Sequence, residues 1–481
     1  MRWRRSKFAM RLSTNTIPSR WPISACLATS MVGCATVDNE PLDVPVVIPA
    51  QWEHEAKNIN VENEGIADTW WLAFEDAELS ALIVRAYDAN PDLAATAQSV
   101  IQADIALKNA SAGLLPSFSA AASTGRQAQQ VAGSSTMVTG SSTSASLSLD
   151  YEVDLWGRLA ATEASALASL QATRFDFEAA RLTLAGSVAT IWFQLLETRQ
   201  RLDIARQNLE TAERTLQLVD ARYRNGVADR SELARQQTAL LVRRNAIPPL
   251  EYQIRQNLAA LRVLTGDFPY GGETPAAQFN AITVPSIDPG LPANIITQRP
   301  DLAADEARLQ AANADIRQTR AALLPRLSLG AAARLSSDGF LSLADPTRAV
   351  TGLLSLSQTL FDGGQQENAT ALSQSRRVAL LQTYRGNLLT AFRETGDALD
   401  RVTLFEEQER RLVVIREQAE QTLRLTEIRY REGSDDLLTL LETQRSLFDA
   451  REQITRARLD RLLASVDLFK ALGGGLVSKR L

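Results

Sequence analysis

Two stretches of the chain, Arg158 to Arg224 and Gln365 to Arg431, each run 67 residues without a proline. If helical, each is about 100 Å long at about 1.5 Å per residue. Such rods cannot fold inside a compact domain, whose radius of gyration would be about 20 Å at this length. They must pack side by side. Leu412, Ile415, Ala419 and Leu423 form one apolar stripe, and Leu440, Leu447 and Ile454 recur every seven residues, as in a coiled coil. Gly226 and Gly433 end the long segments, and shorter helices are expected after the turns at 225–230 and 432–436. Ile247-Pro248-Pro249 predicts a break in the first of these.

The two long segments belong to a duplication. Asn90-Pro91-Asp92-Leu93 recurs as Arg299-Pro300-Asp301-Leu302, and Leu114-Leu115-Pro116 recurs as Leu323-Leu324-Pro325, both 209 residues on. Arg222-Tyr223-Arg224-Asn225-Gly226 recurs as Arg429-Tyr430-Arg431-Glu432-Gly433, 207 residues on. This period is far too long for a solenoid. It marks two modules, 90–266 and 299–474, joined by a Pro/Gly-rich linker, 267–298, with an N-terminal segment 34–89 and a tail 475–481.

Each module reads helix, strand, strand, long helix, helix. Over 145–155, Ala145, Leu147, Leu149, Tyr151, Val153 and Leu155 alternate with Ser146, Ser148, Asp150, Glu152 and Asp154. Strict period two is the pattern of a strand with one apolar and one polar face. Its partner is expected at 117–125, with a loop at 126–142. The second module places strands at 326–335 and 351–360 around a loop at 336–350. In each module the helix before the strands, stacked on the helices after the turn, would match the long rod beside it.

Strands of about ten residues suit a tilted bilayer crossing. Four cannot close a barrel, and open edges in lipid cost several kcal/mol per unpaired group. Copies must therefore share one barrel. Two chains give a filled eight-strand barrel and three give a twelve-strand barrel with a lumen. A transport role favours three, with Asp150, Glu152 and Asp154 lining the lumen.

The N-terminus reads as an export address. Arg2, Arg4, Arg5, Lys7, Arg11 and Arg20 precede a moderately apolar run that ends in Met31-Val32-Gly33-Cys34. This is the order of a secretory signal, here 1–33. A cysteine just after the cleavage point marks a lipoprotein signal, with Cys34 acylated and Cys26 a rival site. Removing 1–33 leaves 45 basic against 56 acidic residues and one cysteine, so no internal disulfide is possible. With one histidine, His54, and two cysteines, the chain lacks a zinc finger, a Cys/His cluster and most nucleophilic triads. No catalytic residue, metal site or cofactor is expected beyond the covalent lipid. The absence of a basic arm argues against nucleic acid.

Trp70-Trp71, Phe74, Asp76 and Leu79, the repeated motifs above, Asp154-Leu155-Trp156-Gly157 and Leu360-Phe361-Asp362-Gly363-Gly364 together carry a resemblance. The chain resembles the outer-membrane efflux family of TolC and OprM, most of all its lipoprotein (NodT-like) branch, from about 34 to 474. The resemblance implies a mainly α fold with a membrane β-barrel portion: a homotrimer with a shared twelve-strand barrel and a helical periplasmic tunnel. It implies no catalysis, and docking to a periplasmic adaptor and an inner-membrane pump that exports drugs or other small molecules. It also implies outer-membrane localisation in a Gram-negative cell, for which Ala35 after Cys34 is permissive. The tip residues Arg222, Tyr223, Gly226, Arg429 and Gly433 would meet the adaptor. Leu438, Thr439 and Glu442 would narrow the tunnel, and Tyr430 with Glu232 would latch the gate. Trp70, Trp71 and Phe74 are expected to anchor the core around the tunnel. An outlet for a secreted polypeptide and a pore-free coiled-coil lipoprotein are the alternative readings.

Overall fold

The computed structural model describes residues 69–130, 132–133, 137–269, 276–287, 290, 292 and 294–475. The signal segment 1–33, Cys26, Cys34 and His54 lie outside them. The elements run α1 (Ala77–Ala89), α2 (Pro91–Ala112), β1 (Ser117–Gln130), β2 (Met137–Val153), α3 (Arg158–Arg224), α4 (Arg230–Asn245) and α5 (Ile247–Leu264). They continue with α6 (Asn294–Gln298), α7 (Pro300–Ala321), β3 (Arg326–Ser337), β4 (Thr347–Ser357), α8 (Gln365–Arg431) and α9 (Leu437–Ala471).

The two 67-residue rods, α3 and α8, span the expected residues without interruption. Their starts are built alike. The carboxylate of Asp154 accepts from the amides of Leu159 (3.0 Å) and Ala160 (2.8 Å). That of Asp362 accepts from Gly364 (2.9 Å), Gln365 (3.1 Å) and Gln366 (3.0 Å). Both aspartates satisfy amides that a helix start leaves without partners. The Asp-containing motifs before the rods are thus helix entries. The rod of the first module is flanked by a two-piece rod, because Asn90, the cap of α2, donates its side-chain amide to the Leu264 carbonyl at the end of α5 (3.0 Å). In the second module Arg299, just before α7, donates to the Ala471 carbonyl at the end of α9 (3.2 Å). The break before Pro248 falls where α4 gives way to α5.

The core sits where α1 and the short 3-10 turn Trp70–Phe74 pack on α3, α5 and α9. Trp70, Trp71 and Phe74 are buried there with Trp192, Phe193 and Phe469. Trp70 stacks on Phe469 with ring centroids 5.2 Å apart. The linker adds Phe279 and Ile282 to this core. Its backbone is strapped down by Arg458, which donates to the Ile282 carbonyl at 2.8 Å.

The four strands form one antiparallel sheet in the order β1-β2-β3-β4, with β1 and β4 at its edges. The strands differ from the expected bounds. β1 and β2 run far into the expected loop 126–142, and β3 and β4 into 336–350. These extensions are mostly Ser, Thr, Gly, Gln and Arg, and the few apolar residues among them (Ala128, Met137, Val138, Ala349 and Val350) are too sparse to show a hydrophobic alternation. Hydroxyl pairs nearby tie β1 to β2 instead, such as Thr124 with Thr143 at 2.9 Å and Ser123 with Ser144 at 3.0 Å. At the other end the expectation overshot: Leu155 and Leu360 lie beyond the last strand residues, in the approach to the rods. Asp154 is likewise outside β2 and is occupied as a helix cap, so it does not line the sheet's polar face; Asp150 and Glu152 do.

Candidate gate and membrane wall

The far ends of the rods turn in the same way. At the first tip the amide of Gly226 donates to the Tyr223 carbonyl (3.0 Å) and that of Val227 to the Arg222 carbonyl (2.9 Å). At the second, Gly433 donates to Tyr430 (3.2 Å) and Ser434 to Arg429 (2.8 Å). This double bond pattern is the Schellman motif. It requires a left-handed residue, supplied by Gly226 at φ +73° and Gly433 at φ +76°. Asp229 then caps α4 through the Glu232 amide (2.8 Å), and Asp436 caps α9 through the Thr439 amide (2.7 Å). Hydrogen bonds hold both carboxylates below their ordinary range, from Ser231 above all at Asp229 and from the Thr439 amide at Asp436.

The two tips are joined through Tyr430. Its ring is buried, 1% exposed, in a cluster with Val219, Leu437 and Leu440. The Arg222 guanidinium lies over that ring, 4.7 Å from its centroid, and donates to the Tyr430 carbonyl at 3.2 Å. One cation thus binds both the face of the ring and the C-terminus of α8, where the helix dipole favours positive charge. The Tyr430 hydroxyl has no hydrogen-bond partner among the described residues. Tyr430 and Glu232 are therefore neighbours without a direct bond between them. Burial pushes the Tyr430 phenol up, Arg222 opposes the rise, and the Glu232 charge adds to it. Arg222, expected only as a tip contact, is the residue that bridges the two hairpins. Its spacing from Gly226 was visible in the sequence, but its partner, 208 residues away, was not.

Leu438, Thr439 and Glu442 share one exposed face of α9, with Leu438 57% exposed. Leu437, Leu440 and Leu447 face the other way and are buried. The spacing separates the two faces as a helix of 3.6 residues per turn must. Arg429 pairs with Asp435 at 3.1 Å beside this face, and Tyr223 is 40% exposed at the other tip. Two glutamines that sequence reasoning passed over fasten the hairpins: Gln236 donates to the Ala212 carbonyl (2.8 Å) and Gln444 to the Thr215 hydroxyl (3.2 Å).

At the opposite end, the strand register sorts the sheet into two faces, since residues directly opposite one another share a face. One carries Phe118, Leu147, Leu149, Tyr151, Leu329 and Leu354; the other carries Ser119, Ser146, Ser148, Asp150, Glu152 and Ser355. An apolar wall with a polar reverse side is the arrangement of a membrane strand.

Residues 82–267 and 291–474 match the family described as "Outer membrane efflux protein". The chain belongs to that family. Among its relatives, the pyoverdine export outer membrane protein OpmQ of Pseudomonas aeruginosa is 37% identical over 95% of this chain and 97% of that protein. The outer membrane protein OprJ of the same organism is 33% identical over 84% of this chain and 86% of that one. Of solved structures, the open-state MtrE outer membrane channel of Neisseria gonorrhoeae superposes with a TM-score of 0.80 at 26% identity, covering 89% of this chain and 98% of that one. This outer membrane efflux protein is thus built as a mainly helical channel subunit of the outer membrane, with the sheet as its membrane part.

Proposed function

We propose that three copies of this chain assemble into the exit duct of a tripartite efflux pump. The observation that carries this is the open four-strand sheet, apolar on one side, set on rods of about 100 Å. Three such sheets make a twelve-strand barrel with a lumen and leave no edge in lipid. The polar face with Asp150 and Glu152 lines the lumen, and the rods cross the periplasm. The duct does no chemistry. Its cargo moves passively from an inner-membrane pump through a periplasmic adaptor that seats on Arg222, Tyr223, Gly226, Arg429 and Gly433. Glu442, Thr439 and Leu438 of three copies form the constriction, which opens when the Arg222–Tyr430 contact yields. Cys34 carries the lipid anchor.

The cargo is a small organic solute: relatives of 36% and 37% identity are named for pyoverdine export, and others of 29% and 30% for toluene efflux. Deleting the gene should raise cellular retention of a small fluorescent amphiphile, and the purified protein should run as a heat-modifiable trimer that conducts ions in planar bilayers. A monomer without conductance would overturn the reading. Cys34→Ser should abolish fatty-acid labelling while the trimer persists; labelling that survives would move the anchor to Cys26.

A further inference from the structure

The segment 338–346, between β3 and β4, folds back over the apolar face of the sheet. The Ser141 hydroxyl donates to the Asp338 carbonyl (2.6 Å), and the Thr143 hydroxyl to the Gly339 carbonyl (2.7 Å). The Leu341 amide donates to the Thr124 hydroxyl (3.2 Å), and Arg126 lies over the Phe340 ring at 4.3 Å. By register Ser141, Thr143, Thr124 and Arg126 all stand on the face that carries Leu147 and Leu149, not on the serine face. The loop therefore lies against the outer wall and leaves the lumen side clear.

Its position answers a mismatch in the wall. On β2 the apolar face runs from Val153 to Ala145 and then turns to Thr143 and Ser141. At about 3.4 Å per residue and a tilt of about 40°, that run is about 21 Å tall, short of the band of about 25 Å that such barrels present to lipid. The loop covers the residues where the wall turns polar. It takes up their hydroxyls with its own backbone and turns Phe340 (41% exposed), Leu341 (72%) and Leu343 (40%) outward. Hydroxyls satisfied in this way can sit in hydrocarbon, where water cannot serve them. The loop also supplies what the strands omit. Phe118, Tyr151 and Trp156 lie at the periplasmic end of the sheet, whereas Phe340 is the one aromatic in 119–150 and 330–357. Barrels carry aromatic girdles at both interfaces. The loop's acidic residues, Asp338 and Asp345, flank this apolar tip on either side.

We propose that residues 338–346 form a lipid-facing collar that sits in the outer leaflet, extending the apolar wall outward and providing its outer aromatic girdle. This rests on the outer-membrane reading above. The test is photo-crosslinking in whole cells with a benzophenone amino acid placed at Leu341. Val350, at mid-wall and 88% exposed, serves as the lipid-facing reference, and Thr351, on the serine face, as the lumen-facing one. Lipid adducts at Leu341 comparable to Val350, and about tenfold above Thr351, are expected for a side chain in hydrocarbon. Adducts at Val350 with none at Leu341, or a Leu341 adduct to a second copy of the chain, would overturn the collar alone. Failure at Val350 as well would instead overturn the membrane placement of the sheet.

Discussion

Gly473 and Gln298 approach so closely that a β-carbon on the glycine would stand 2.2 Å from the Gln298 carbonyl oxygen. Gly266 stands in the same relation to Ala89, at 2.3 Å. The offsets are those of the duplicated motifs, so the module repeats down to a backbone contact. Both glycines are left-handed, at φ +90° and +74°. Gly473→Ala should therefore cost about 2–4 kcal/mol through backbone strain and overpacking, read as a lower guanidinium midpoint of the purified trimer. An unchanged midpoint would mean that the end-to-end junction of α7 and α9 yields without cost.

The Arg222–Tyr430 contact separates two accounts of the latch. The Tyr430 hydroxyl has no partner among the described residues, so Tyr430→Phe should leave conductance in bilayers unchanged and stability within about 0.5 kcal/mol. Arg222→Ala removes the cation from both ring and carbonyl and should raise conductance. If Tyr430→Phe opens the channel and Arg222→Ala does not, the hydroxyl and Glu232 hold the gate instead.

In the core, the Trp192 indole donates to the second carboxylate oxygen of Asp76 at 2.7 Å. The first oxygen caps α1 through Glu78 (2.9 Å) and Leu79 (3.1 Å). Trp192→Phe keeps a ring but leaves a buried acceptor unpaired, at a cost of about 1–3 kcal/mol. Chemical denaturation followed by circular dichroism in the helix band should show the loss, with tip contacts intact by hydrogen exchange.

Acid should loosen the tips before the core. Asp229 and Asp436 have carboxyls held below their ordinary value of 3.8 in the folded chain. The folded state thus favours the charged forms. The contribution is complete above that ordinary value and is lost as pH falls through the lowered ones. Amide exchange at Glu232 and Thr439, corrected for intrinsic rates, should quicken below about pH 4, and Asp436→Ala should bring that faster exchange to neutral pH. Equal protection at pH 6 and pH 3 would rule out the caps as the acid-sensitive element.

The rods were legible because a proline-free run with glycine at its end leaves a helix few alternatives, and the C-terminal bounds of α3 and α8 followed from Gly226 and Gly433. The outer halves of the strands were not. Residues 126–130 and 137–142 pair through their backbones, and Ala128, Met137 and Val138 are too few apolar residues to make a period. The candidacy of Leu438, Thr439 and Glu442 followed from the family resemblance. Arg222 as the bridge to Tyr430 did not, because a contact across 208 residues has no local signature. The same holds for Asp154, whose place in an alternating run hid its use as a cap.

The two unpaired rims of the sheet set the order of events after export. A lone chain reaching the periplasm carries strand borders able to recruit any extended peptide, so survival depends on an escort or on meeting its sisters quickly. Cellular abundance of the finished duct should then depend on encounter rate as much as on the stability of the folded subunit.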